Sequence, residues 1–281
     1  MALCHNLSIA LVMWVVGVKH EYESLCAVRQ YVRFLPTDWT LVTVHDSSTP
    51  GLRARIANES QGHQLRQIYD VELTSRLPAF PAKRVPLYHA VELQILLRKL
   101  FTWSLVEYDR VLSVDTDVYI AKSPFHFVNC EMLSYTADPR RIVATPACSK
   151  YFNGGFLFFR PDMNVTRLLL RLSHLRLARV CEMKQSDQTV LNTFFHKWRA
   201  VEIVHSQHHT LYDGGEIDSH SVVHFVGLDK PHMWFRQCAL TNWVLQAPRP
   251  PPGRKGARSR NFTYARTMSA SVPTRTRHYS Q

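Results

Sequence analysis

The chain has little of what would mark a membrane protein, a repeat protein or a disulfide scaffold. No apolar run within its 281 residues reaches the roughly 18 that a membrane-crossing helix requires, and no internal repeat is visible. Ten glycines and fifteen prolines are too few for a collagen-like or low-complexity chain. The six cysteines, Cys4, Cys26, Cys130, Cys148, Cys181 and Cys238, include no CxxC pair and no zinc-site spacing, so they read as reduced, buried thiols. What remains is 46% apolar and 20% charged residues, the composition of a globular domain with one large core.

Acidic residues are scarce in one place only. The formal charge is +12, with 34 basic and 22 acidic residues, but residues 247–281 hold eight Lys/Arg and no acid, which leaves 1–246 with 26 against 22, or +4. That tail also has five prolines and too few apolar groups to offset the entropy of ordering it. The sequence therefore predicts a domain at 1–246 followed by a disordered, basic, Pro/Arg-rich extension. A solvated tail explains its charge without a specific nucleic-acid partner, and contact with a membrane surface stays open. The apolar stretch at 9–18 lacks a basic start and a small-residue cleavage site, which favours a buried strand over a leader and a cytoplasmic placement. Asn-X-Ser/Thr acceptors at Asn6, Asn58, Asn164 and Asn261 keep a Golgi or secretory lumen as the alternative.

Strand-like and helix-like segments alternate through the body, which argues for an α/β layer architecture with a mostly parallel sheet. A first strand at 11–18 leads to a helix at 21–35, with Leu25, Val28, Val32 and Leu35 at helical spacing, and then to a strand at 39–44. A helix at 85–103 precedes an apolar strand at 110–120. A strand at 156–159, helices at 164–180 and 186–198, and a late strand at 222–226 complete the pattern.

Four short segments could carry chemistry. Asp115 and Asp117 stand two apart on the 110–120 strand, a spacing that puts both carboxylates on one face of an extended chain, where two hard oxygens suit a divalent ion. Carboxylates at a strand end also occur without a metal. Asn153, Gly154 and Gly155 precede the 156–159 strand and would allow close backbone approach to a ligand, or simply form a turn. Ser186, Asp187 and Gln188 open a helix, where Ser or Asp is an ordinary N-cap. His224, Gly227 and Lys230 end the late strand; a lone histidine beside apolar residues is more often structural than a ligand.

Together, in this order, these segments resemble glycosyltransferase family 8, the glycogenin and galactinol synthase group, over residues 11–234. LRKLFTWSLVEYDRVLSVDTDV at 97–118 is the most specific part, followed by FNGGFLFFRPD, DQTVLNTFF and HFVGLDKP. The resemblance implies a single-domain GT-A fold, Rossmann-like, and a manganese-dependent retaining transferase moving a hexose from a UDP-sugar to a hydroxyl acceptor, with magnesium as an alternative ion. It implies metal ligation by Asp115, Asp117 and His224, phosphate contacts from Lys99, Lys230 and Gly227, and a sugar site at Asn153, Gly154, Gly155, Asp187 and Gln188. Asp187 and Gln188 would lie nearest the reacting carbon, and Tyr22 would meet the uracil. The acceptor, whether glycan, polyol, lipid or protein, is not named by the resemblance, and a homodimer stays an open expectation.

The chain departs from that pattern in places. Val16-Gly17-Val18-Lys19 lacks the usual threonine and asparagine of the nucleotide contacts, and His232 stands where tryptophan is usual, with Trp234 close behind. Residues 199–223 offer one tyrosine, Tyr212, in place of the tyrosine-rich segment of a self-glucosylating primer. A catalytically inactive nucleotide-sugar-binding protein of the same fold is the competing expectation.

Overall fold

The first apolar run folds as β1, Ile9–Val15, with all seven residues buried. Residues at even positions (Ala10, Val12, Trp14) join one core and those at odd positions (Ile9, Leu11, Met13, Val15) the other, so this strand is covered on both faces. The computed structural model describes residues 7–15, 21–46, 50–60, 62–76, 97–120, 128–147, 151–175, 177, 186–201, 204–206 and 222–225. The basic tail and the expected first half of the 85–103 helix lie outside the described residues.

Ten strands form two sheets among the described residues. β1, β2 (Thr40–His45), β3 (Gln64–Tyr69), β4 (Arg110–Val114), β6 (Ile142–Pro146), β7 (Phe152–Phe159) and β8 (Trp198–Ala200) make a seven-stranded sheet in the order β3-β2-β1-β4-β7-β6-β8. β1 runs parallel to β2 and β4, and β2 to β3, while β7 runs antiparallel to β4 and β6. A second sheet of three short strands has the order β5-β10-β9, with β5 at Val118–Ile120, β9 at Val204–Ser206 and β10 at Val222–Phe225.

Helices α1 (Glu21–Phe34), α2 (Pro50–Glu59) and α4 (Cys130–Tyr135) supply Leu25, Val28, Leu52, Ile56 and Leu133 to one core. Helices α3 (Asp70–Ser75), α5 (Met163–Ser173) and α6 (Asp187–Phe194), with the 3-10 helix Lys99–Ser104, supply Leu73, Val165, Leu169, Val190 and Trp103 to the other. The result is a three-layer α/β arrangement with a mostly parallel sheet, as the alternating pattern predicts. Trp103 anchors the second core by stacking on Phe159, with ring centroids 3.9 Å apart and planes 11° from parallel.

Three expectations are corrected. The strand expected to run through 110–120 is two strands in different sheets, broken by a turn at 115–117 in which the Val118 N–H donates to the Asp115 carbonyl at 3.2 Å. Two carboxylates within three residues do not continue a strand buried on both faces; the chain leaves the sheet there. The Asn153-Gly154-Gly155 segment lies inside β7 rather than before it. Cys26 and Cys130 are disulfide-bonded rather than reduced, because linear spacing does not reveal which thiols the tertiary fold brings together.

Candidate functional site

β4 delivers the site by ending. Its five residues are all buried, and the turn that follows places Asp115 and Asp117 at the carboxyl edge of the parallel sheet, beside β7. The Asp115 N–H donates to the Gly155 carbonyl at 2.9 Å, so the turn is fastened to the glycine segment of β7. β5 then pairs with β10 in a register that sets Val118 opposite His224. One ligand atom from each of Asp115, Asp117 and His224 lies within 4.8 Å of the others. The sequence places the two aspartates together; the small sheet adds a histidine more than a hundred residues away.

Gly155 makes room for that histidine. A Cβ on Gly155 would stand 2.3 Å from His224 Cε1 and 2.8 Å from Nε2, closer than any real contact. Its requirement is space for a side chain of this protein rather than backbone approach to a ligand. His224 Nε2 lies 3.2 Å from Asp117 Oδ1, and both side chains are buried, whereas the Asp115 side chain is 26% exposed. The cluster is thus closed on two sides and open on the third.

Lys99 and Asp187 approach the same cluster from the other helical layer. Lys99 opens the 3-10 helix, whose first turn is held by Thr102 Oγ1 donating to the Lys99 carbonyl at 2.6 Å and accepting from Trp14 Nε1 at 2.8 Å. From there Nζ donates to Asp115 Oδ1 at 2.5 Å. Burial works against the Lys99 charge, but Asp115, Asp187 and Asp117 outweigh it and hold its pKa above the usual lysine value. Burial is also the main influence on Asp187, raising its pKa against the opposing pull of Lys99.

α6 aims Asp187 and Gln188. Ser186 is the N-cap, accepting from the Thr189 N–H, which leaves Asp187 in the first turn, buried against Gly154; a Cβ there would lie 3.7 Å from Asp187 Oδ2. Gln188 Oε1 accepts from the Gly154 N–H at 3.3 Å, while its buried Nε2 has no partner among the described residues. Asn153 Oδ1 accepts from the Gly155 N–H at 2.6 Å. Lys99, Asp115, Asp117, Asn153, Gly154, Gly155, Asp187, Gln188 and His224 are linked in one neighbourhood by these contacts. The Tyr22 side chain, Gly227 and Lys230 lie outside the described residues.

Sequence reasoning missed Asn192. Its Oδ1 accepts from the Phe152 N–H and its Nδ2 donates to the Phe152 carbonyl, both at 2.9 Å, so one side chain pairs with the β7 backbone as a neighbouring strand would. Nδ2 also donates to the Gln188 carbonyl at 2.9 Å. This clamp sets α6, with Asp187 and Gln188, against β7. Its signal was the spacing: Asn192 follows Gln188 by one helical turn and shares its face.

Known proteins resemble this chain in sequence and in fold. The sequence pattern described as glycosyl transferase family 8 matches residues 58–238. Human glycogenin-1 is 27% identical over 190 residues, 62% of this chain and 50% of the relative. Mouse glycogenin-1 is 28% identical over 176 residues, 58% and 49% of the two chains. The chain spans about half the length of the curated relatives it matches. Among solved structures, the glycosyltransferase GlyE of Streptococcus pneumoniae TIGR4 superposes with a TM-score of 0.56 at 15% identity, covering 85% of this chain and 63% of that one. LgtC, a galactosyltransferase solved with donor and acceptor sugar analogs, gives 0.53 at 15% identity, covering 85% and 98%. Mouse xyloside xylosyltransferase 1 gives 0.54 at 11%, covering 80% and 99%. These structural likenesses show a shared GT-A fold, and the match over more than half of the chain shows the family: this protein belongs to glycosyl transferase family 8.

Proposed function

We propose that the protein is a divalent-metal-dependent, retaining glycosyltransferase that moves a hexose from a UDP-sugar to a hydroxyl acceptor. The observation that carries this reading is the convergence of Asp115, Asp117 and His224 within 4.8 Å, with Lys99 and Asp187 beside them. Two carboxylates and an imidazole fit a manganese ion, with magnesium as the alternative, and the missing Cβ at Gly155 is the space that lets the imidazole join them. The exposed side at Asp115 leaves positions for substrate oxygens. When bound, the ion would supply Lewis acidity to the diphosphate leaving group.

The chain's own residues account for the remaining demands. Cleavage of the sugar–phosphate bond leaves charge on UDP, and Lys99, kept protonated by its carboxylate neighbours, is a fixed cation for it. Gln188 Nε2, buried and without a partner among the described residues, is a donor for a sugar hydroxyl. The buried carboxyl of Asp187 stabilises the oxocarbenium-like sugar by charge, and burial withholds from it the water that would compete. In the route we favour, the C1–O bond to phosphate breaks, the acceptor oxygen bonds C1 on the same face, and the acceptor proton passes to a UDP oxygen. No separate base is required.

The test is a panel of UDP-sugars incubated with the purified protein and either manganese or EDTA, following UDP and the anomeric form of the product by NMR. Manganese-dependent UDP release from one donor, with retained configuration and loss in Asp117→Asn, is the expected result. Release that is indifferent to EDTA, or an inverted product, would refute the proposal.

A further inference from the structure

Tyr31 occupies a core position of α1, on the buried stripe with Leu25, Val28 and Leu35, and is fully buried. The stripe expected from the sequence had Val32 there; Val32 is only half-buried, and Tyr31 takes the inward place. Its ring does what any core aromatic does. Its hydroxyl does something else: it lies 2.8 Å from the Asp115 carbonyl oxygen and 3.0 Å from the Val118 carbonyl oxygen. A phenol has one proton to give, so the O–H is shared between two carbonyls that stand at the two ends of the turn carrying both aspartates.

The location is specific. The Asp115 amide is tied to Gly155 on β7 and its carbonyl to the Val118 amide, while Val118 is the register partner of His224. The hydroxyl therefore meets the chain where it leaves the large sheet and joins the small one, between the backbone that aims Asp115 and Asp117 and the strand pair that aims His224. An ordinary phenol keeps its proton at physiological pH, so the hydroxyl is a donor there.

We propose that Tyr31 is a positioning residue for the Asp115/Asp117/His224 centre: its hydroxyl, through the carbonyls of Asp115 and Val118, fixes the turn on which the ligand spacing depends. This rests on the reading of that centre as a divalent-metal site. Tyr31 acts through the backbone carbonyls of the turn rather than through the side chains of the centre. Its role is to make the geometry independent of the ligand, so that binding does not have to order the turn.

The experiment compares wild-type protein, Tyr31→Phe and Thr136→Val in Mn2+ titrations followed by EPR, with and without UDP, alongside thermal unfolding. Thr136 is a control for lost buried hydrogen bonding at the opposite end of β4, where its hydroxyl accepts from Arg110 Nε at 2.9 Å. Tyr31→Phe is expected to weaken Mn2+ binding by about 3- to 10-fold, the equivalent of one buried hydrogen bond, while Thr136→Val lowers the unfolding temperature without changing Mn2+ affinity. Amide exchange at 115–118 in the metal-free protein should quicken in Tyr31→Phe alone, a readout that needs no metal. Equal Mn2+ affinity in wild type and Tyr31→Phe, or unchanged exchange in the turn, overturns the positioning role while leaving the metal site standing. No saturable Mn2+ binding in the wild type overturns the metal reading and this inference with it.

Discussion

The two sheets of this protein are built for different ends. The seven-stranded sheet contains β1, apolar and buried at every position, and both cores grow from its two faces. Among the described residues the three-stranded sheet has strands of only three or four residues, and one of them carries His224 to the aspartates. Strands this short do not hold a sheet on their own. They hold their place because the 115–118 turn is tied to β7 and to α1. The large sheet converts burial into stability; the small one uses that stability to bring His224 to the aspartates.

Substitutions should separate the two roles. The largest effect belongs to the large sheet: Phe158→Ala, at a fully buried position between Leu112 of β4 and Val143 of β6, should lower unfolding free energy by about 3–5 kcal/mol. Urea denaturation measures this, and Mn2+ affinity of the folded fraction should not change. A loss below about 1 kcal/mol would show that the core is not centred there.

Acid should also act on the large sheet. His45 is buried at the end of β2, bonded through Nε2 to Thr43 Oγ1 at 2.8 Å, and burial, followed by Arg53, pushes its pKa down to about 4. An unfolded imidazole titrates near 6.5, so between those values the unfolded chain binds more protons and stability falls as pH drops from about 6.5 toward 4. The loss should reach up to about 3 kcal/mol across that window, and His45→Gln should remove most of the slope in urea midpoints taken between pH 7 and 4.5. An identical slope in the variant would place the acid sensitivity elsewhere.

The smallest effect in free energy is the most selective. Gly155→Ala puts a methyl group into the His224 ring, so the imidazole must shift. Mn2+ affinity should fall by about 10- to 100-fold, with little change in the unfolding midpoint. Isothermal titration and thermal melts on the same samples read both quantities. A variant that loses stability and keeps its affinity would reverse the division between the sheets.

The same division explains what could be read from the sequence. α1 and β2 lie within one residue of their expected bounds, and β1 begins two residues before its own, because long apolar runs and helical spacing encode large buried faces. β3, by contrast, reads QLRQIY, an edge strand with one fully buried residue, and β6 has only five residues; neither has a pattern strong enough to stand out. The aspartates, the glycine pair and the Asp187-Gln188 step were visible as motifs. Their geometry was not, since the turn at 115–117, the space over Gly155 and the meeting with His224 arise from tertiary pairing. Tyr31 and Asn192 escaped notice because each fits an ordinary helical position, and only the backbone atoms they reach disclose a second role.

The central claim is that Asp115, Asp117 and His224 form one divalent-metal centre. Its most direct test is anomalous scattering at the manganese edge from crystals of the protein soaked with Mn2+ and UDP. The account predicts a single strong peak within bonding distance of a carboxylate oxygen of Asp115, one of Asp117 and a ring nitrogen of His224. A peak elsewhere, or none at saturating Mn2+, would contradict it.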